Sequence, residues 1–296
     1  MDATLAPTLR RIPVRGLELA VRQWSGERQP AFLLVHGLAS NACTWDAVGA
    51  RLSSAGYRAV AVDQRGHGRS DKPDAGYGFD AVTADLRALI DALGLDRPLL
   101  VGQSWGGNVV LDFAARWPEA LSGLALVDGG FIDLSAREGA SWEQTAIDLR
   151  PPDFAGTPRE QMVERLRSHR EGWPEEAIEM TMANFETLAD GSLRPWLRLD
   201  RHMLILRSLW EQKPAEIYPR VQAPTLIAVA DSKSRDPGWR KEDEVARATA
   251  GLARAEVRWF KDAAHDIHIQ RPAELTDWLL EALDGGFFSG SGAGDA

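Results

Sequence analysis

A chain of 296 residues is long enough for one large α/β domain, or for a core domain with an inserted module. Its composition, 44% hydrophobic and 26% charged, is that of an ordinary globular protein. A net charge of -9, with no Lys/Arg block to offset it, argues against a nucleic-acid or anionic-membrane partner.

Short apolar runs ending in turn residues recur through the first half. Leu17–Trp24 alternates in polarity and predicts an exposed antiparallel edge strand. Ala31–Val35, Tyr57–Val62, Pro98–Gly102 and Gly123–Val127 read as buried strands, and Trp45–Ala55, Asp80–Leu93 and Trp105–Trp117 as helices between them. Strands apolar on both faces and joined by helices imply a mostly parallel sheet flanked by helices. From about Phe131 to Pro214 no strand is predicted. Three helices carry that stretch, one starting at the capping pattern Thr157-Pro158-Arg159-Glu160, one near Trp173, and one over about Trp196–Gln212. The strand rhythm returns with Thr225–Ala230, a helix near Trp239–Leu252, Glu256–Phe260 and a last helix from Pro272. The expected organisation is a core over residues 1–130, an inserted α-helical cap over 131–214, a second core part over 215–286 and a flexible Gly/Ser-rich tail over 287–296. The amino-terminal stretch lacks the apolar core of a signal peptide, and no later run is long enough to span a bilayer. The single cysteine, Cys43, cannot form an intrachain disulfide. A cytoplasmic protein is expected.

The strongest motif is Gly102-Gln103-Ser104-Trp105-Gly106-Gly107, which follows a strand and opens a helix. A nucleophile on such a turn sits in a strained backbone conformation, so its neighbours must be small. The helix behind it turns its amide groups and positive dipole end toward developing negative charge. The competing reading, a glycine-rich turn with an incidental serine, does not account for that context. The loop Val35-His36-Gly37-Leu38-Ala39-Ser40 can supply a second donor, so the oxyanion hole is assigned to the backbone amides of Leu38 and Trp105. His36 reads as a loop-ordering residue. His265 lies in the loop between the last strand and the last helix, where a base can lean over the nucleophile, and His268 is its rival.

On these pieces the chain resembles the α/β-hydrolase superfamily, nearest to esterase, lipase and lactonase-like members with a helical cap. The matching segments are His36-Gly37, Asp63-Gln64-Arg65-Gly66-His67-Gly68-Arg69-Ser70, the Ser104 turn, and His265 with Pro272 seven residues later. The resemblance implies that His265 rather than His268 is the base, and that Asp63–Ser70 is structural. It also implies a triad acid a few residues past Thr225–Ala230, where this chain has Ala230-Asp231-Ser232-Lys233, with Lys at the expected position. Asp231 lies close to the strand end and Asp236 far along the loop. Asp128, directly after Gly123–Val127, is a placement some family members use and is preferred, with Asp231 as the alternative; both keep the order Ser, Asp, His. Asp262 and Asp266 read as loop solvation.

The cap carries Trp142, Trp173, Trp196 and Trp210 with Met162, Met180, Met182 and Met203. They read either as glue between cap and core or as an apolar acyl pocket, and Trp105 is singled out as adjacent to substrate. The expected activity is hydrolysis of carboxylic esters or lactones of small, largely apolar substrates through an acyl-enzyme, with no metal, nucleotide or organic cofactor. A serine at position 104 excludes the related chemistries that need a carboxylate nucleophile there. Carbon–carbon bond hydrolysis, cofactor-free perhydrolysis and a small-ligand receptor use the same residues. The partner expected is a small molecule, neither nucleic acid nor membrane, and the oligomeric state stays open.

Overall fold

The computed structural model describes residues 6–169, 173, 175–231 and 240–289. One eight-stranded sheet organises it. Its strands are β1 (Thr8–Val14), β2 (Leu17–Trp24), β3 (Arg28–Val35), β4 (Tyr57–Val62), β5 (Leu99–Gln103), β6 (Gly123–Val127), β9 (Thr225–Asp231) and β10 (Ala255–Lys261). Their spatial order is β1-β2-β4-β3-β5-β6-β9-β10. The β1–β2 and β2–β4 pairs are antiparallel, and every later pair is parallel. The expected mostly parallel sheet is therefore present. Its edge is β1, however, and Leu17–Trp24 is the second strand. β1 escaped sequence reading because Pro13 and its arginines interrupt the apolar pattern and its first four residues are exposed.

The central strands are buried along both faces because helices cover both sides. Leu33 and Val35 face a core shared with α2 (Phe79–Leu93) and α3 (Trp105–Arg116). Phe32 and Leu34 face a second core under α1 (Asp46–Ser54) and α11 (Pro272–Asp284), where Trp45, Trp278 and Phe260 are packed. The period-two alternation of one strand thus feeds two separate apolar layers. Among the described residues no helix is long and apolar enough to cross a membrane.

The segment after β6 differs in content from the three helices predicted there. It holds α4 (Trp142–Asp148), α5 (Arg159–His169), α6 (Glu175–Met182), a hairpin of β7 (Phe185–Thr187) and β8 (Leu193–Pro195), and α7 (Leu199–Glu211). α4 and the hairpin were not predicted. Strands of three residues are too short to show a period, and Asp190-Gly191 supplies only the turn. α7 buries Ile205, Leu206 and Leu209 in the main core, while Met162, Val163, Ile178, Met182 and Leu193 form a small core of their own. The rest of the chain holds α8 (Pro214–Ile217), α9 (Lys241–Gly251) and α10 (Ile267–Gln270). At the carboxyl end the expected tail begins too early. Phe288 is buried, and its ring fills the space that a side chain at Gly123 of β6 would need. Residues 290–296 of that expected tail, like Ser232, Lys233 and Asp236, lie outside the described residues.

Candidate active site

Ser104 occupies the single-residue turn between β5 and α3, with φ 54° and ψ -125°. For a residue with a Cβ this is a strained conformation that persists only when its surroundings enforce it. Here Ser104 N–H donates to Val127 O at 3.0 Å, and Gly107 N–H donates to Ser104 O at 2.9 Å. The glycines around it are contact positions. A Cβ on Gly102 would lie 2.3 Å from Gly106 O, and one on Gly129 would lie 2.1 Å from Ser104 O. Gly102→Ala is expected to lower stability by about 3 kcal/mol, seen as a melting-temperature drop of about 6–12 °C by thermal circular dichroism. A melting temperature unchanged from wild type would mean that the turn relaxes freely.

Register brings Asp128 to the same place. Gln103 of β5 pairs with Val127 of β6, so Ser104 and Asp128 leave neighbouring strands at one level. Asp128 also has a positive φ, 45°, and its N–H donates to Ala228 O at 2.7 Å. Just beyond it, buried Asn108 of α3 accepts from Gly130 N–H at 2.8 Å and donates to Ile132 O at 3.0 Å, which fastens this loop to the helix that follows Ser104. Asp128 Oδ2 then lies 2.7 Å from His265 Nδ1. The imidazole therefore meets Asp128, while Asp231 ends β9.

The carboxylate is fully buried and has two further partners. Ala230 N–H donates to Oδ1 at 2.9 Å, and Lys241 Nζ lies 2.9 Å from each oxygen. Burial works against its charge, but His265 and Lys241 outweigh burial and hold its pKa below the ordinary carboxylate range. For His265, whose side chain is 47% exposed, partial desolvation opposes the imidazolium, yet Asp128, followed by Asp266, outweighs it and raises the pKa, while Lys241 pulls the other way. His268 is buried against the Trp45 ring, 4.4 Å between centroids, away from this arrangement.

The loop after β3 is ordered by two histidines. His36 Nε2 accepts from Gln64 N–H at 3.1 Å, its Nδ1 donates to Gly37 O at 2.8 Å, and Gln64 Nε2 donates to His36 O at 2.7 Å. His67 Nδ1 donates to Arg65 O at 3.0 Å, and its Nε2 accepts from Ala39 N–H at 3.3 Å; Ala39 has φ 56°. Burial keeps His67 neutral, as an acceptor role requires. Asp63–Ser70 is structural as expected. Asp63 accepts from Ala42 N–H at 2.7 Å and from Arg69 N–H at 2.8 Å, and Arg65 pairs with buried Asp85 at 2.5 and 2.7 Å. Trp105 departs from expectation. Its side chain is buried and stacked on His67 instead of lining the cavity, and its backbone amide lies in the first turn of α3.

Ser104 and His265 open on one cavity of about 230 Å³. The core lines it with Leu38, Ala39, Ser40, Thr44, Gln103, Asp266 and Ile269, and the cap with Thr181 and Asn184. Asn41 Nδ2 ties core to cap, donating to Asn184 Oδ1 at 2.6 Å and Met180 O at 2.9 Å. The lining is more polar than the apolar acyl pocket that was the alternative reading of the cap tryptophans and methionines. Among the described residues none of those side chains lines the cavity. Met162 and Met182 fill the small cap core, Trp142 and Trp210 pack on each other, and Trp196 lies under Arg69 and Lys72. Asp266, expected only to solvate its loop, faces the cavity, with Gln103 Nε2 3.4 Å from its carboxylate. Lys241, Thr181 and Asn184 had no sequence signal beyond their residue type.

A model of the alpha/beta hydrolase family matches residues 32–278, most of the chain. The chain belongs to the alpha/beta hydrolase family. This hydrolase-family chain is 40% identical over 127 residues to an uncharacterized protein of Mycobacterium tuberculosis, covering 43% of this chain and 36% of that protein. The match thus spans about a third of that relative's length. It is 27% identical over 247 residues to the 2-hydroxy-6-oxononadienedioate/2-hydroxy-6-oxononatrienedioate hydrolase of Klebsiella pneumoniae, covering 81% of this chain and 82% of that one. Among solved structures, E-2-(acetamidomethylene)succinate hydrolase superposes with a TM-score of 0.76 at 22% identity, over 94% of this chain and 99% of that chain, a likeness of fold.

Proposed function

We propose that this chain is a serine hydrolase that opens carboxylic esters or lactones of small, uncharged substrates through an acyl-enzyme, with Ser104 as nucleophile, His265 as general base and Asp128 as the acid. The observation that carries the reading is a serine held at φ 54° on a helix N-terminus, sharing a cavity with an imidazole whose Nδ1 is fixed by a buried carboxylate at 2.7 Å. With Nδ1 engaged, Nε2 is the nitrogen free to take the Ser104 proton as Oγ attacks the substrate carbonyl. The Leu38 and Trp105 amides receive the oxyanion, and His265 returns the proton to the departing alcohol. Water then repeats the sequence on the acyl-enzyme, releasing the acid and restoring Ser104. Asp128 stays ionised throughout and stabilises the imidazolium.

The lining supports the choice of an uncharged substrate. The names of two relatives carry dicarboxylates, a dioate and a succinate. A dianion needs cationic partners in its pocket. Among the described residues no Lys or Arg lines this cavity, and Asp266 adds a negative charge. Ser40, Thr44, Thr181 and Asn184 suit hydroxyl or amide groups beside the carbonyl.

The test is a mixing experiment with p-nitrophenyl acetate and γ-lactones. A burst of p-nitrophenol equal to the enzyme present, with an acyl mass on the Ser104 peptide, is the expected result. An inert protein with no acyl mass on any of these substrates would overturn the reading in favour of carbon–carbon chemistry, perhydrolysis or ligand reception.

A further inference from the structure

Lys241 has no part in the reaction as written above, yet it is built into the site. It begins α9, where a cation opposes the positive end of the helix dipole, and the three residues after it, Glu242, Asp243 and Glu244, are the acidic ones that position favours. A lysine placed against that local preference has its reason elsewhere. Its ammonium lies 2.9 Å from both oxygens of Asp128 and 3.0 Å from Ala230 O, and its side chain is largely buried. The carboxylate is thereby clamped between an ammonium on one side and the His265 imidazole on the other.

We propose that Lys241 is a positioning residue that holds Asp128 ionised and aimed at His265, and that offsets part of its charge so that His265 stays neutral and able to accept a proton. The proposal rests on the Ser104–His265–Asp128 reading and adds a device to it. Without a cation on its other side, the buried carboxylate would stabilise the imidazolium more strongly and make the base harder to deprotonate. Among the described residues, the charged groups that act on His265 are Asp128 from the end of β6, Asp266 from its own loop and Lys241 from the start of α9. Two of these are acidic and Lys241 is cationic, so Lys241 is the charge among them that works, together with desolvation, to keep the imidazole neutral.

The sign is fixed. Removal of the cation favours the imidazolium, so the pH at which His265 loses its proton rises. Activity, which needs the neutral ring, then appears only at higher pH. Lys241→Gln keeps a donor and removes the charge, whereas Lys241→Arg keeps the charge. The imidazole of His265 is titrated by NMR in wild type and both variants, and kcat/KM for p-nitrophenyl acetate is measured from pH 5 to 9 on the same samples.

The expected result is a midpoint about one pH unit higher in Lys241→Gln, in both titration and rate profile, with wild-type behaviour in Lys241→Arg. At pH values below the wild-type midpoint the Gln variant loses about tenfold in rate, and it recovers on the alkaline plateau. A Gln variant whose plateau falls while both midpoints stay in place would overturn the proposal, since that is the mark of a purely structural lysine. The NMR titration separates the two layers. A shifted imidazole in a protein that hydrolyses no ester supports the role of Lys241 and sinks the triad reading. An unshifted imidazole in an active esterase does the reverse.

Discussion

Ser104→Ala is expected to lower kcat for p-nitrophenyl ester hydrolysis by about five to six orders of magnitude, with KM changed by no more than a few-fold. The loss is large because it removes the atom that forms the covalent bond, and His265 and Asp128 have nothing else to activate. What remains is the contribution of the oxyanion donors and the cavity to direct attack by water, about 10³–10⁴ over solution. The fold is expected to survive. The strained turn is enforced by backbone hydrogen bonds and by glycines packed against it, none of which involves the Ser104 hydroxyl. Alanine, which also carries a Cβ, meets the same backbone demand as serine. Steady-state kinetics with a melting curve on the same preparation check both halves. A variant within tenfold of wild type would remove Ser104 from the chemistry.

The second large effect separates the two candidate acids. Asp128→Asn is expected to reduce kcat by about 10⁴, while Asp231→Asn stays within a few-fold of wild type. Asparagine at 128 can offer its amide nitrogen to His265 Nδ1. That selects the tautomer with the proton on Nε2, the nitrogen that has to accept from Ser104. It also leaves Lys241 facing a neutral side chain at a fully buried position. Breaking a buried pair from one side costs about 3–5 kcal/mol, so a fall in melting temperature accompanies the loss of activity. Rates are therefore compared at a temperature where each variant is folded. The opposite ranking, with Asp231→Asn inactive and Asp128→Asn near wild type, would move the acid to the end of β9.

The nucleophile turn was legible because its requirements are local. A strand, a helix and three glycines within six residues leave few conformations for Ser104, and the structure adopts the strained one. The pairing of Asp128 with His265 was only partly legible, because it joins residues 137 apart and depends on how β6 and β9 lie beside each other. Lys241 was invisible for the same reason: its partner is 113 residues away, and a lysine opening a helix has no spacing pattern to mark it. The sheet interior was read from unbroken apolar runs, whereas β1 and the β7–β8 hairpin were missed because they are short or interrupted by charge. The partners of the cap aromatics were not legible for a different cause. Residue type shows that they are buried, but which neighbour buries them is a three-dimensional fact. Trp196, for example, is covered by Arg69 and Lys72 from the core.

The division of buried residues within the insertion has a consequence for how such a protein changes over generations. α7 is rooted in the main core, while α5, α6 and the hairpin hold together through five buried side chains of their own. A satellite that small opens at lower free energy than the sheet, so amide hydrogens of α5 and α6 exchange before those of β5 and β6. Thr181 and Asn184, the two cap residues on the cavity, both belong to this softer part. Ser104, Asp128, Lys241 and His265 all hang from the rigid sheet or its flanking helices. Substitutions that reshape the roof therefore disturb few contacts of the framework beneath it. One lineage can try many substrates while its reacting atoms stay where they are.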